Sequence, residues 1–128
     1  MYQSMMTFIY TRDLETMIDF VEEALGLEVV YQPDWARVYR VTGSSYLGLV
    51  DQTKGSLSSQ YKGGCLISLT VEALEDSYKR IEAFGVDGLT PIRAFEDIGV
   101  KSFFFKGPGG YDFEIQSFYK EDIRVLFD

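Results

Sequence analysis

The chain has 128 residues, 46% apolar and 16% aromatic, which suits one packed globular domain and argues against disorder. Twelve basic against twenty acidic residues give a formal charge of −8, which repels polyanions and disfavours nucleic acid or anionic membrane surfaces as partners. The chain contains no histidine, which excludes Ser-His-Asp triads, Cys-His pairs and helical zinc motifs. Acid–base chemistry is thereby left to carboxylates, lysine or tyrosine, and metal binding to oxygen-rich sites.

The N-terminus lacks the basic start and apolar stretch of a signal peptide, and no apolar run approaches membrane-spanning length, so a cytoplasmic location is expected. Met6 to Thr11 reads as a first strand. Leu14, Met17, Ile18, Val21, Ala24 and Leu25 then recur at three- and four-residue intervals, an apolar helical stripe with Asp13 as N-cap and Gly26 just past its end. Trp35, after Pro33 and Asp34, falls near the start of a strand, where it would cap a ligand or serve an interface. Val38 to Val50 forms a hairpin, and Asp51 to Gly64, rich in Ser, Gly, Gln and Lys, reads as a linker. Cys65, the single cysteine, has no partner for an internal disulfide and no histidine to activate it. Leu66 to Val71 is a strand, and Leu74, Tyr78, Ile81 and Phe84 stripe a second helix that ends at Gly85. Asp87 to Gly99 is irregular, with a short strand around Thr90 to Ala94. Phe103 to Gln116 is a hairpin closed by Gly107-Pro108-Gly109-Gly110.

The order strand, helix, glycine stop, hairpin thus occurs twice, and Val38 to Val50 lies on Phe104 to Gln116 at a constant offset. Such a duplication predicts two modules, about 1–50 and 65–128, with pseudo-twofold symmetry inside one domain. In the second-module strand, Ile67, Leu69 and Val71 face the helix, while Leu66, Ser68 and Thr70 face the other way. If Lys106 faces Tyr111, Phe104 pairs with Phe113 on the helix side, and Phe103 and Phe105 pair with Glu114 and Asp112 on the other. Carried over by the offset, this puts Val38, Leu47 and Leu49 under the helices. Arg37, Tyr39, Tyr46 and Gly48 then fall on the opposite face, together with Met6, Phe8 and Tyr10.

The two βαββ(β) units, the Leu25-Gly26-Leu27 helix end, and Pro108-Gly109-Gly110 followed by Glu114 resemble the vicinal oxygen chelate superfamily. That group contains glyoxalase I, extradiol dioxygenases, fosfomycin resistance enzymes and bleomycin resistance proteins. The resemblance covers essentially the whole chain. It implies an α+β fold of two βαβββ modules whose curved sheets form a cup, with helices on the outer face. Metal enzymes of the family place ligands on the first and last strand of each module, which the resemblance maps to Met6, Gly48, Leu66 and Glu114. Only Glu114 is a conventional ligand, and one carboxylate does not hold a divalent ion against water, so no metal and no other cofactor is expected. The turn departs from the family's usual pattern at Gly107, Gly109 and Tyr111.

Phe8, Tyr10, Tyr39, Tyr46, Phe103 and Phe105, with Trp35, are candidate walls of an aromatic pocket for a flat or cationic guest; the alternative is a cup filled by these same side chains. Arg37 would anchor a ligand carboxylate or pair with Glu114. Glu114 is in turn either that neutralised carboxylate or a general base. The expected function is metal-free sequestration of a small organic molecule, in the manner of bleomycin resistance proteins. The alternative is a lyase, isomerase or dioxygenase-like enzyme using Glu114 as base or residual metal ligand. A small molecule and a second copy of the chain, in a homodimer, are the expected partners.

Overall fold

The computed structural model describes residues 1, 3–54 and 65–127, in two compact units, Met1–Lys62 and Gly63–Asp128. Of the expected linker, 55–64 lie outside the described residues.

In the first unit the chain runs β1 (Met5–Thr11), α1 (Leu14–Asp19), a π-helical turn (Phe20–Ala24), β2 (Glu28–Tyr31), β3 (Ala36–Thr42) and β4 (Ser45–Asp51). The strands form one sheet in the order β1-β4-β3-β2, with β1 parallel to β4 and the other pairs antiparallel. The second unit repeats the plan. It has β5 (Leu66–Thr70), α2 (Leu74–Phe84), β6 (Arg93–Phe95), β7 (Val100–Lys106) and β8 (Asp112–Phe118), in the order β5-β8-β7-β6, followed by α3 (Glu121–Arg124). Each half is therefore a mixed four-stranded sheet with its principal helix on one face, an α+β arrangement.

Asp13 starts α1 as expected: its carboxylate accepts from the Thr16 amide at 3.1 Å and the Thr16 hydroxyl at 2.6 Å. Those two bonds, the hydroxyl's first, hold the Asp13 carboxyl below the usual range. The helix then widens, with the Leu25 amide donating to the Phe20 carbonyl five residues back. Phe20 joins Met17, Ile18, Val21 and Ala24 in the buried set, an inward residue that a uniform 3.6-residue period does not mark. Gly26 follows at φ 68°, and Gly85 ends α2 at φ 89°, the left-handed conformation that glycine adopts without steric penalty.

Register decides which residues reach the core. In the second hairpin the Gly107 amide donates to the Tyr111 carbonyl at 2.9 Å, leaving Pro108, Gly109 and Gly110 as a three-residue connection. Lys106 consequently faces Asp112 rather than Tyr111, Phe105 faces Phe113, Phe104 faces Glu114 and Phe103 faces Ile115. This one-residue shift turns every β7 side chain to the other face from the one expected. Phe103 and Phe105 lie in the core: Phe103 meets the α2 residue Tyr78 edge-on at 5.0 Å, and Phe105 stacks on Phe113 at 5.5 Å. The offset between the modules itself holds, since Val38 pairs with Gly48 as Phe104 pairs with Glu114. The β3 side chains are therefore inverted as well. Val38 points away from the helix, whereas Tyr39 and Arg37 point toward it. The β4 and β8 assignments stand, with Leu47, Leu49, Phe113 and Ile115 buried beneath the helices. The short strand expected around Thr90 to Ala94 is displaced to Arg93–Phe95. Thr90 is instead fastened to Phe104 by two hydrogen bonds, amide to carbonyl at 3.0 Å and Phe104 amide to the Thr90 hydroxyl at 2.9 Å.

Glu22, in the π-helical turn, ties the first helix to its sheet. One of its carboxylate oxygens accepts from the Tyr39 hydroxyl at 2.9 Å and from the Arg37 guanidinium at 3.2 Å. Tyr39 is fully buried; burial, then the hydrogen bond and charge of Glu22, push its phenol well above the ordinary tyrosine range. A phenol whose folded pKa is raised contributes stability that is complete below its unfolded value of about 10 and is lost as pH climbs beyond it. Thermal melts from pH 8 to 11 should therefore show an alkaline decline in Tm that Tyr39→Phe reduces. At pH 7 that substitution should cost about 1 to 3 kcal/mol through the lost bond to a charged acceptor.

Candidate functional site

Because β1 is parallel to β4 and β5 to β8, each unit needs a crossover, and the helix in that crossover covers one sheet face. The other face carries the candidate site residues. In the first unit, strand pairing lays them in three rows, namely Met6-Tyr46-Arg40, Phe8-Gly48-Val38 and Tyr10-Val50-Ala36. The Phe8 ring lies over Gly48, so that a Cβ added at Gly48 would come within 2.4 Å of the ring. Tyr46 accepts from the Arg40 guanidinium at 3.0 Å, and the guanidinium lies 5.2 Å from the ring centroid. Of the residues expected on this face, Phe8, Tyr10 and Tyr46 are there. Arg37 and Tyr39 are not, being held by Glu22 on the helix side. Trp35 lies in the turn before β3, half-exposed, its carbonyl accepting from the Asp51 amide at 3.0 Å.

In the second unit the helix-free face carries the rows Leu66-Asp112-Lys106, Ser68-Glu114-Phe104 and Thr70-Gln116-Ser102-Arg93. Lys106 and Asp112 form an ion pair. The Ser68 hydroxyl donates to Glu114 at 2.8 Å, and Gln116 donates to the Thr70 hydroxyl at 3.0 Å. Glu114 thus accepts from Ser68, and Arg37, expected to anchor a ligand or pair with Glu114, is bonded to Glu22 within its own unit. A pocket of about 110 Å³ opens on this face between Thr90, Pro91, Arg93, Phe95, Ser102 and Phe104. Phe103 and Phe105, expected here, are replaced by Phe104. Arg40, Arg93, Ser102 and Phe104 escaped the sequence reading because their face depends on the hairpin register. Given a three-residue turn, the alternation Val100, Ser102, Phe104 would have found the last two.

A family profile described as "Glyoxalase/Bleomycin resistance protein/Dioxygenase superfamily" matches residues 4–115, and the chain belongs to that superfamily. No curated protein matches it. Solved structures share the fold at low identity. Lactoylglutathione lyase from Agrobacterium tumefaciens is 20% identical with a TM-score of 0.70, over 88% of this chain and 91% of its own. The fosfomycin resistance protein FosX from Listeria monocytogenes is 16% identical with a TM-score of 0.71, over 91% and 93%. A glyoxalase/bleomycin resistance protein/dioxygenase family enzyme from Burkholderia phytofirmans PsJN is 18% identical with a TM-score of 0.75, over 88% and 95%.

The superfamily's name includes metal enzymes, so the donor set bears testing. Met6 and Leu66 are exposed side chains on the helix-free faces, Gly48 has no side chain, and Glu114 is one carboxylate accepting from Ser68. Among the described residues no three Cys, Asp or Glu side chains come together in a way that could hold an ion. This donor set does not fit a divalent metal, which requires several oxygen, nitrogen or thiolate ligands at short distance. Also among the described residues, no helix is long and apolar enough to cross a membrane.

Steric dependence between Phe8 and Gly48 is directly measurable. Gly48→Ala should destabilise the chain by about 1 kcal/mol as the half-exposed Phe8 ring is displaced. In a Phe8→Ala background the same change should cost nothing, and denaturant unfolding of the double-mutant cycle should return a coupling of about 1 kcal/mol.

Proposed function

We propose that this chain is a metal-free, small-molecule-binding member of the superfamily that sequesters an organic ligand against the helix-free face of a sheet. The observation carrying this is the composition of the four positions where the family resemblance expects metal ligands, three of which have no donor atom suited to a hard cation. Phe8, Tyr10 and Tyr46 on the sheet of the first unit, and separately Phe104 on that of the second, offer aromatic surface to a flat guest through offset or edge contacts. The formal charge of −8 favours neutral or cationic molecules at long range. The likeness to a lactoylglutathione lyase and to fosfomycin resistance proteins lies at or below 20% identity and carries the fold alone.

An enzymatic reading is favoured by one feature, the placement of Glu114 beside Phe104 with Ser68 to orient it, which is an arrangement suited to a general base. The two readings separate on Glu114→Gln. A binder keeps its affinity within about threefold, whereas loss of a general base lowers turnover by about 10² to 10⁴. Elemental analysis of the purified chain should find no stoichiometric zinc, iron or manganese. Thermal-shift screening against cationic aromatic compounds and glycopeptide antibiotics should yield stabilising ligands. Bound stoichiometric metal, or uniform failure across chemically diverse compounds, would contradict the proposal.

A further inference from the structure

The lining of the pocket in the second unit includes Ser102, a buried side chain whose hydroxyl is left unbonded among the described residues. Ser102 is 1% exposed, and among the described residues its hydroxyl has no hydrogen-bond partner. Burying a hydroxyl without a partner costs free energy, so such groups are rare and point to something that completes them. Ser102 lies on the helix-free face, as its pairing with Gln116 and Arg93 requires, and it lines the pocket. Arg93, directly opposite on β6, is exposed, and its guanidinium makes no hydrogen bond or ion pair among the described residues. Phe95, Phe104 and Pro91 supply apolar walls, and Thr90 is held in place by its two bonds to Phe104.

A free guanidinium and a free hydroxyl, side by side above apolar walls, define a chemical class. We propose that this pocket is the head-group subsite for a small carboxylate with an apolar or aromatic body. The carboxylate takes a forked contact from Arg93 and a hydrogen bond from the Ser102 hydroxyl, while the body lies against Phe104 and Phe95. This rests on the small-molecule-binding reading above and specifies its ligand. The pocket's size, about 110 Å³, is well below the roughly 300 to 1,000 Å³ of sites for drug-sized molecules, and suits one ring or a short chain. The acidic surplus of the chain does not oppose this. Its field is screened over about 8 Å at physiological ionic strength, whereas Arg93 acts at contact. A ligand whose remainder is neutral or cationic satisfies both.

The test uses the full chain with benzoate as probe, against benzamide as its neutral counterpart and inorganic phosphate as an oxyanion without a body, followed by calorimetry or ligand-observed NMR. Benzoate should bind at least about tenfold more tightly than either. Arg93→Gln should weaken benzoate by about tenfold, with Arg93→Lys retaining part of the affinity. Ser102→Ala should weaken it several-fold while leaving the Tm of the unliganded chain unchanged or raised, because it removes a buried hydroxyl that bonds to nothing. Equal binding of benzoate and benzamide, phosphate binding as well as benzoate, or an Arg93→Gln chain of unaltered affinity would overturn the assignment. So would a Ser102→Ala chain with lowered Tm and unaltered affinity, which would mark the hydroxyl as the partner of a structural water. A screened compound that binds wild type and Arg93→Gln equally removes this subsite and leaves the binding reading standing. Metal found in the purified chain removes the metal-free reading and leaves the benzoate comparison intact.

Discussion

The turn at Gly107-Pro108-Gly109-Gly110 governs what the second sheet presents. Proline presets the backbone at the second position, and Gly109, at φ 80° and ψ 4°, takes the left-handed third position of a type II turn. The Gly110 amide closes the turn on the Gly107 carbonyl at 3.1 Å. With Gly107 bonded to Tyr111, the connection is three residues long, and the whole pairing of β7 with β8 follows. A connection one residue longer would place Phe103 and Phe105 on the helix-free face and turn Phe104 and Ser102 toward the helix, exchanging the two sets. Side-chain period two makes that exchange complete, so the turn sets both what packs in the core and what the helix-free face presents.

The same consideration explains what was legible beforehand. Helical periodicity, the Asp13 cap and the Gly26 and Gly85 stops mark both helices, because each signal is local and rests on steric or hydrogen-bonding chemistry within one turn. The duplication is legible too, since Val38 and Gly48 pair as Phe104 and Glu114 do. The facing of β3 and β7 was not, for a physical reason. Phe103, Phe104 and Phe105 are equally apolar, so alternation has no polar residue there to mark the wet side. Ser102 carries that mark, but only once it is read together with Phe104. On β3, Arg37 and Tyr39 look suited to a binding face, and only Glu22, raised into position by the π-helical turn, explains why they point to the helix. A widened helical turn leaves no reliable trace in the pattern of apolar residues.

Emptied donor positions and an unsatisfied hydroxyl give the two helix-free faces different characters. The first unit presents Phe8 over Gly48 and Tyr46 beside Arg40, an aromatic surface whose rings are braced by internal contacts. The second presents a row of hydrogen-bonding side chains, Thr70, Gln116, Ser102 and Arg93, running across all four strands. Within that row Gln116 and Thr70 satisfy each other, whereas Ser102 and Arg93 do not. In the proposed binding role, recognition would concentrate where the protein leaves polar groups uncompensated, since there a ligand adds bonds without displacing existing ones.

All of this depends on the register of one hairpin, which cross-strand nuclear Overhauser effects between β7 and β8 report directly. The account predicts contacts joining Phe104 with Glu114 and Ser102 with Gln116. Contacts joining Phe104 with Phe113 and Phe103 with Glu114 would contradict it, returning Phe103 and Phe105 to the helix-free face and withdrawing Ser102 from it.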